Sequence, residues 1–188
     1  MANTDATRGF WPLRHMTGGT IRMSEYSITS GYGTGIFYGD AVKLVAAGTI
    51  ESAAAGDRIL GIFQGVEYTD AQGNVVFSKY WPASTTATNI KASVVDDPNV
   101  TFGVQSAGST VAADIGNLGD HVAGAGNTST GISGFELNGT TSTGAAGFRV
   151  LRIIDAPNNE AGTNVDLEVQ IYQHELNEHI DADGTAGV

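Results

Sequence analysis

The chain has 188 residues, enough for one ordinary hydrophobic core, and it contains no cysteine, which excludes disulfides and cysteine-based metal sites. Its net charge of −11 argues against binding of nucleic acid, since phosphates would be repelled. No run approaches the roughly 20 apolar residues that cross a bilayer, and no basic segment leads into an apolar one at the N-terminus, so neither a membrane partner nor secretion is expected.

The charge is unevenly distributed along the chain. Residues 1–24 hold three arginines and one acid, whereas residues 155–188 hold eight acids and no lysine or arginine. A basic front on an acidic body suits docking onto an acidic neighbour. The alternative is that the acidity serves only solubility.

Residues 1–34 show no sustained periodicity, which predicts an extended N-terminal arm. Tryptophan and arginine are common in the energetic centres of protein interfaces, so this arm has the composition of a contact segment. The candidate contact residues are Arg8, Phe10, Trp11, Arg14 and Arg22. The alternative is that Phe10 and Trp11 fold back onto the protein's own core, because large aromatic side chains are mostly buried.

The chain is organised around residues 35–80, where short apolar runs are separated by glycine. Glycine followed by aspartate precedes an aliphatic residue twice here, at Gly39 and Gly56, and again at Gly119. Glycine tolerates a positive φ and aspartate can bond its own backbone, so these pairs predict turns that lead into strands. In the strand predicted after the second pair, Gly61 and Gly65 have no side chains and flatten one face. Another group can therefore approach that face closely.

Two hairpins are predicted from alternating residues on either side of a turn. The first turns at residues 70–74, and the second joins residues 90–94 to 100–104 through the Asp96–Asn99 segment.

Further strands are predicted at 148–154 and 165–172, the second with one apolar and one wet face. The Gly/Ser/Thr-rich residues 124–147 predict either a long loop or a loosely paired excursion.

These elements predict a mainly β protein, a small antiparallel β-barrel or β-sandwich with an extended N-terminal arm and long Gly-rich loops. The predicted organisation is an arm at 1–34 and a single β domain at 35–188. No amphipathic run is long enough for a core helix.

The motifs that carry chemistry fit poorly. His174 and His179 are five residues apart, whereas a zinc-protease helix needs two histidines at a spacing of four. Asp155, Asn158, Asn159 and Glu160 could surround a cation, but a turn rich in Asp and Asn is the preferred interpretation. We therefore predict no catalytic residue, no cofactor and no metal, and a protein that is not an enzyme.

Three sequence patterns follow one another between Gly39 and Gly65. They are Gly-Asp-x-Val, then Gly-x-Ile-x-x-Ala, then Gly-Asp-x-Ile-Leu-Gly-Ile-Phe-x-Gly. This succession of patterns is the basis of a resemblance. It resembles the small β-rich head decoration (cement) proteins of tailed bacteriophages. The segments Tyr80–Ala83 and Val94–Phe102 are similar to structural proteins of marine phages. The resemblance covers residues 35–105, with a looser echo at 148–174.

This resemblance implies an accessory virion protein on the outer surface of the capsid. Its partner would be the major capsid protein, and it would bind as a homo-oligomer, with a trimer favoured over a dimer. It would cement neighbouring capsomers and so stabilise the expanded capsid, and it would have no catalytic residues.

The alternative is a carbohydrate-binding or receptor-binding β module at the virion surface or tail. The aromatic side chains that could line its groove are Tyr32, Tyr38, Tyr68, Tyr80 and Trp81. A tail-tube or collar protein remains a further possibility.

Overall fold

The computed structural model describes residues 3–139 and 146–177. Their elements are short strands and one 3-10 turn at Ala112–Asp114. The strands are β1 (Trp11–His15), β2 (Ser24–Tyr26), β3 (Ile36–Phe37), β4 (Ala41–Leu44), β5 (Ile50–Ser52), β6 (Gly61–Thr69), β7 (Val75–Ser78), β8 (Tyr80–Trp81), β9 (Thr88–Val95), β10 (Val100–Gln105), β11 (Ser109–Thr110), β12 (Leu118–Gly119), β13 (His121–Val122), β14 (Glu136–Leu137), β15 (Phe148–Ile153), β16 (Gly162–Thr163) and β17 (Asp166–Ile171).

Two antiparallel sheets dominate. The five-stranded sheet has the order β1-β10-β17-β15-β12, and the six-stranded sheet has the order β2-β9-β6-β4-β5 with β7 added to the side of β6. Three two-stranded pairs, β3–β8, β11–β16 and β13–β14, complete the set in the described residues. The predicted mainly β class is confirmed, and the described sheets form a sandwich-like arrangement rather than a closed barrel.

The first hydrophobic core lies where the two sheets meet. The five-stranded sheet contributes Phe102, Leu167 and Val169 to it, and the six-stranded sheet contributes Ile62 from β6. The backbone of β9 approaches Gly61 so closely that a side chain there would collide with the Val95 carbonyl group. The close approach predicted at Gly61 is therefore made by a neighbouring strand.

The second core lies on the opposite face of the six-stranded sheet, over Phe63 and Val66. The sheet curls around it until Ser27 and Thr49 form a bridge. Trp81 is fully buried in this core, and its ring meets that of Tyr68 edge-on at 5.2 Å.

Burial corrects the set of aromatic side chains predicted for a glycan groove. Trp81 and Tyr68 are both buried, because they fill the second core, and they cannot line an open surface.

The glycine–aspartate turns occur at two of the three predicted places. Gly39 and Gly56 have φ of +95° and +85°, in the region that favours glycine. Gly119 instead lies in β12. The following Asp120 accepts a hydrogen bond from the Gly56 N–H at 2.5 Å. The aspartate of the third glycine–aspartate pair therefore stabilises the turn formed by the second pair.

The first predicted hairpin is confirmed as β6 and β7, and the second is wrong. β9 pairs with β2 and β6, whereas β10 pairs with β1 and β17 in the other sheet. All six residues of β10 are buried, and this strand has a neighbour along each edge. The turn at Asp96–Asn99 therefore carries the chain from one sheet to the other.

Residues 1–34 do not form a free arm where the structure describes them. β1 is a strand of the five-stranded sheet and β2 a strand of the six-stranded sheet. Phe10 is fully buried and stacks on Phe148 with ring centroids 4.3 Å apart. The arm prediction is corrected because burying this ring stabilises the folded chain, as the alternative interpretation of Phe10 expected.

The described part of residues 124–147 is a loosely paired excursion. β14 pairs with β13, and Ile132 bridges to Tyr38. Residues 140–145 lie outside the described part of the chain.

Asp40 is a nearly fully buried carboxyl group in the turn that follows β3. Its Oδ2 accepts the Phe37 N–H at 2.8 Å, while Oδ1 has no hydrogen-bond partner among the described residues. Burial raises the pKa of Asp40 to about 6, against the lowering effect of the Phe37 N–H and the nearby Ser133 hydroxyl.

We expect Phe10→Ala to lower the free energy of unfolding by about 3–5 kcal/mol, because it removes a buried ring from the first core. The control Met23→Ala removes a large apolar side chain that is 61% exposed and should change stability by less than about 0.5 kcal/mol. Urea denaturation of both variants makes the comparison. Equal, small effects would show that Phe10 is not a core residue.

We expect Asp40→Asn to stabilise the protein at pH 7, by up to about 3 kcal/mol for a pKa two units above its unfolded value. A raised carboxyl pKa costs stability above pH 6 and nothing below about pH 4, where both states are protonated. The gain should therefore vanish on acidification, as measured by denaturation at several pH values. The exposed control Asp5→Asn should change stability at pH 7 by less than about 0.5 kcal/mol. A gain of Asp40→Asn that persists at low pH would contradict the assignment.

Candidate functional site

The candidate site is the outward face of the five-stranded sheet, which we call the arginine face. Strand register places Trp11, Gly103, Glu168 and Arg152 in one row across it, and Arg14, Thr101, Gln170 and Arg149 in the next. Arg8 lies over the Trp11 ring at the edge of the first row. Four of the chain's six arginines therefore share one face.

Two irregularities in the strands bring these arginines together. In a regular strand, residues three apart point to opposite faces. The register shifts between Pro12 and Arg14 in β1, and between Val150 and Arg152 in β15. Each shift absorbs one extra residue, so Arg14 joins Trp11, and Arg152 joins Arg149, on the outward face.

Glu168 is the buried centre of this face. Its side chain is fully buried, and its two oxygens accept hydrogen bonds from Arg14 Nε at 2.8 Å and Arg152 Nε at 2.5 Å. Burial alone would raise the pKa of this carboxyl, but the nearby Thr101 hydroxyl and the two guanidinium groups lower it below its ordinary value. Glu168 is therefore ionised at neutral pH.

We call this pair of hydrogen bonds to Glu168 the Glu168 clamp. It orients both guanidinium groups without covering them. The side chains of Arg14 and Arg152 are 54% and 58% exposed, and both bind Glu168 through Nε. More than half of each side chain is thus left open to solvent while its guanidinium group is held by the carboxylate. Such preorganised donors lose little conformational entropy when they bind an anion.

Trp11 and Arg8 form the second part of the face. The indole lies against Gly103, where any side chain would collide with it. The Arg8 guanidinium carbon is 4.0 Å from the centre of the Trp11 ring, and its Nη2 binds Asp166 Oδ2 at 2.7 Å. An aromatic ring and an arginine are held together here, as is common in interface centres.

Arg149 completes the face at β15. Its guanidinium carbon lies 4.6 Å from the centre of the Tyr172 ring. With Arg8, Arg14 and Arg152 against Asp166 and Glu168, the face carries a net charge of +2 on a chain whose net charge is −11. This arrangement can bind an acidic surface through charge-assisted hydrogen bonds.

The structure divides the predicted contact residues into three groups. Arg8, Trp11 and Arg14 lie on the arginine face, Phe10 lies in the core, and Arg22 is exposed in the loop between β1 and β2.

The sequence prediction missed Arg149, Arg152 and Glu168. Their only signal was the excess of arginine just before the acidic final segment. The predicted apolar face of β17 is confirmed, and its predicted wet face is corrected at Glu168 alone, which arginines cover from both sides.

In the two weak chemical motifs, the histidine pair and the turn rich in Asp and Asn, the described side chains make structural contacts. His174 is fully buried, and its Nδ1 accepts the Leu176 N–H at 3.0 Å, while burial lowers its pKa. The second histidine of that motif, His179, lies outside the described residues. The side chain of Asn159 bonds the backbone of Ile154 and Asp166.

Across residues 3–139 and 146–177, no three His, Cys, Asp or Glu side chains lie close enough to hold a metal ion. No helix in those same ranges is long and apolar enough to cross a bilayer.

No family model, no curated protein and no solved structure matches this chain.

We expect Glu168→Gln to lower the free energy of unfolding at pH 7 by about 1.5–3 kcal/mol, because it weakens two charge-assisted hydrogen bonds at a buried group. The folded-state pKa of Glu168 is lowered, so its contribution is present above the unfolded value and is lost as the pH falls through the folded one.

The difference between wild type and this variant should therefore shrink below about pH 4.3, as followed by chemical denaturation. The exposed control Glu25→Gln should stay within about 0.5 kcal/mol of wild type at pH 7. A Glu168 variant as stable as wild type at neutral pH would contradict the clamp.

Proposed function

We propose that this chain is a structural protein of a tailed-bacteriophage head, which binds the outer face of the shell as a homo-oligomer and cements neighbouring capsomers. The sequence resemblance at residues 35–105 supports the assignment to the phage head. The arginine face supports the mode of binding. The major capsid protein is the proposed partner.

The observation that carries the proposal is the concentration of ordered arginines on one face of an acidic protein. Arginine is enriched at the centres of protein interfaces, where its planar group binds carboxylates with two parallel hydrogen bonds. The Glu168 clamp fixes Arg14 and Arg152 before any partner arrives. A partner surface rich in Asp and Glu complements this face.

Charge favours a protein partner over packaged DNA. The whole chain carries −11, so the phosphates of a nucleic acid repel it at long range. An acidic body therefore fits the outside of a DNA-filled shell better than its interior. The arginine face then steers the molecule so that its positive side meets the shell.

Stabilisation of the shell follows from mass action. A protein that binds the expanded lattice and not its precursor shifts the equilibrium toward the expanded form by its binding free energy. Many copies act together, so a modest affinity per copy is sufficient.

The test compares two charge reversals with wild type. Arg149→Glu changes the arginine face without touching the Glu168 clamp, and Arg22→Glu makes the same charge change in the exposed loop between β1 and β2. Each purified variant is mixed with expanded heads that lack this protein, and bound copies are counted after sedimentation. We expect Arg149→Glu to weaken binding by about tenfold or more and Arg22→Glu to change it little.

Several outcomes would overturn the proposal. If Arg22→Glu weakens binding and Arg149→Glu does not, the contact lies in the loop before β2. A wild-type protein that does not bind heads would overturn the proposal outright, and a dozen copies or fewer in native particles would favour a tail protein instead. Binding on a glycan array without binding to heads would favour a carbohydrate-recognition module.

A further inference from the structure

The strand β7 presents an exposed apolar edge to solvent. It pairs with β6 alone among the described strands, as the outer member of the hairpin closed at residues 70–74. Val75 is 58% and Phe77 is 76% exposed, while Val76 between them packs against the second core. Phe77 has the largest exposed fraction among the large hydrophobic residues that the structure describes.

The backbone of the same two residues also faces outward. The Asp70 N–H donates to the Asn74 carbonyl at 2.9 Å, which makes these two residues a hydrogen-bonded pair. Such pairs alternate along an antiparallel ladder, so Val76 and Ser78 bond to β6. The N–H and C=O groups of Val75 and Phe77 therefore point away from the sheet.

The other edge strands of the two large sheets carry features that prevent further pairing. β1 has Pro12, a register shift and Arg14, and β12 has only two residues. β2 and β5 have three residues each, one of them a glutamate, and their ends meet at the bridge between Ser27 and Thr49. β7 has the sequence Val-Val-Phe-Ser, without charge, proline or register shift. Natural proteins rarely leave such an edge open.

We infer that two copies of this chain pair through β7, antiparallel and about a two-fold axis at Val76, to form one continuous sheet. In this register Val75 of one copy bonds with Phe77 of the partner subunit, and the reverse pair repeats the contact. Both pairs are aromatic against β-branched, a favourable combination across strands. The edge is thus complementary to itself, which argues for a second copy rather than a different protein.

Charges at the ends of the strand agree with this register. Lys79 follows β7 and comes to lie opposite Gly73 of the partner subunit, in the loop that contains Asp70. Hydrogen bonds from the backbone and side chain of Asn74 lower the pKa of Asp70, so its carboxylate stays charged. The pairing is two-fold and therefore gives dimers, not the trimers that the sequence resemblance favours.

The total charge opposes this contact at long range. Each copy carries −11, so two copies repel one another, and added salt screens that repulsion. A four-residue strand also buries a small area, which is typical of weak association. The dimer should therefore strengthen with protein concentration and with moderate salt, unlike the binding of the arginine face to an acidic partner.

A single cysteine on the two-fold axis tests the register, since the chain contains no other. In the inferred dimer the two residues at position 76 form a non-hydrogen-bonded pair with Cα atoms about 4.5 Å apart, within the range of a disulfide. Val76→Cys should cross-link under mild oxidation about tenfold or more faster than Val122→Cys, an exposed control elsewhere on the surface. Equal rates would overturn the inference.

A second experiment blocks pairing at the β7 edge without altering the hydrophobic core. Phe77→Lys places a charge on the strand, and Val75→Pro removes an N–H that points outward. Sedimentation velocity over a range of concentrations should show dimers for wild type and for the control Val122→Lys, but monomers for both β7 variants. Circular dichroism checks that each variant is folded. A wild type that stays monomeric, or folded β7 variants that still dimerise, would overturn the inference.

Discussion

The buried carboxylate of Glu168 is the constraint on which the larger part of the fold depends. A charge removed from water must be paired, and Glu168 is paired from both sides, by Arg14 in β1 and Arg152 in β15. This requires β17 to lie in the interior of the sheet, with β15 directly beside it and β1 on the other side beyond β10. The N-terminal segment is drawn into the body for this reason and because Phe10 fills the first core. A basic front that looked like a separate arm is thus part of the sheet.

Local features of the fold could be predicted from sequence, and the pairing of distant strands could not. The hairpin at residues 70–74 and the strands near 148–153 and 166–171 follow from turn residues and alternation that act over a few positions. The alternation at residues 90–104 was equally clear, yet β9 and β10 lie in different sheets. Alternation shows which face of a strand is apolar, but it does not show which strand lies beside it.

The candidate site shows the same limit in more detail. Arg8, Trp11 and Arg14 could be selected by composition, since arginine and tryptophan are typical of interfaces. Arg149 and Arg152 could not, because residues three apart lie on opposite faces of a regular strand. Only the register shift after Val150 turns both outward, and such a shift leaves no local mark in the sequence. The burial of Glu168 is likewise visible only when three strands from distant parts of the chain are placed together.

The arginine face and the β7 edge would bind their proposed partners through different physical interactions. The face is positive and preordered, so its contact with an acidic surface weakens as salt rises, whereas the edge offers backbone hydrogen bonds and apolar side chains between bodies that repel one another. They belong to different sheets, so one contact leaves the other available. Two copies joined through β7 would present two arginine faces in a fixed relation. Such a dimer would gain avidity on a repeating lattice only where the spacing of acidic sites matches that relation.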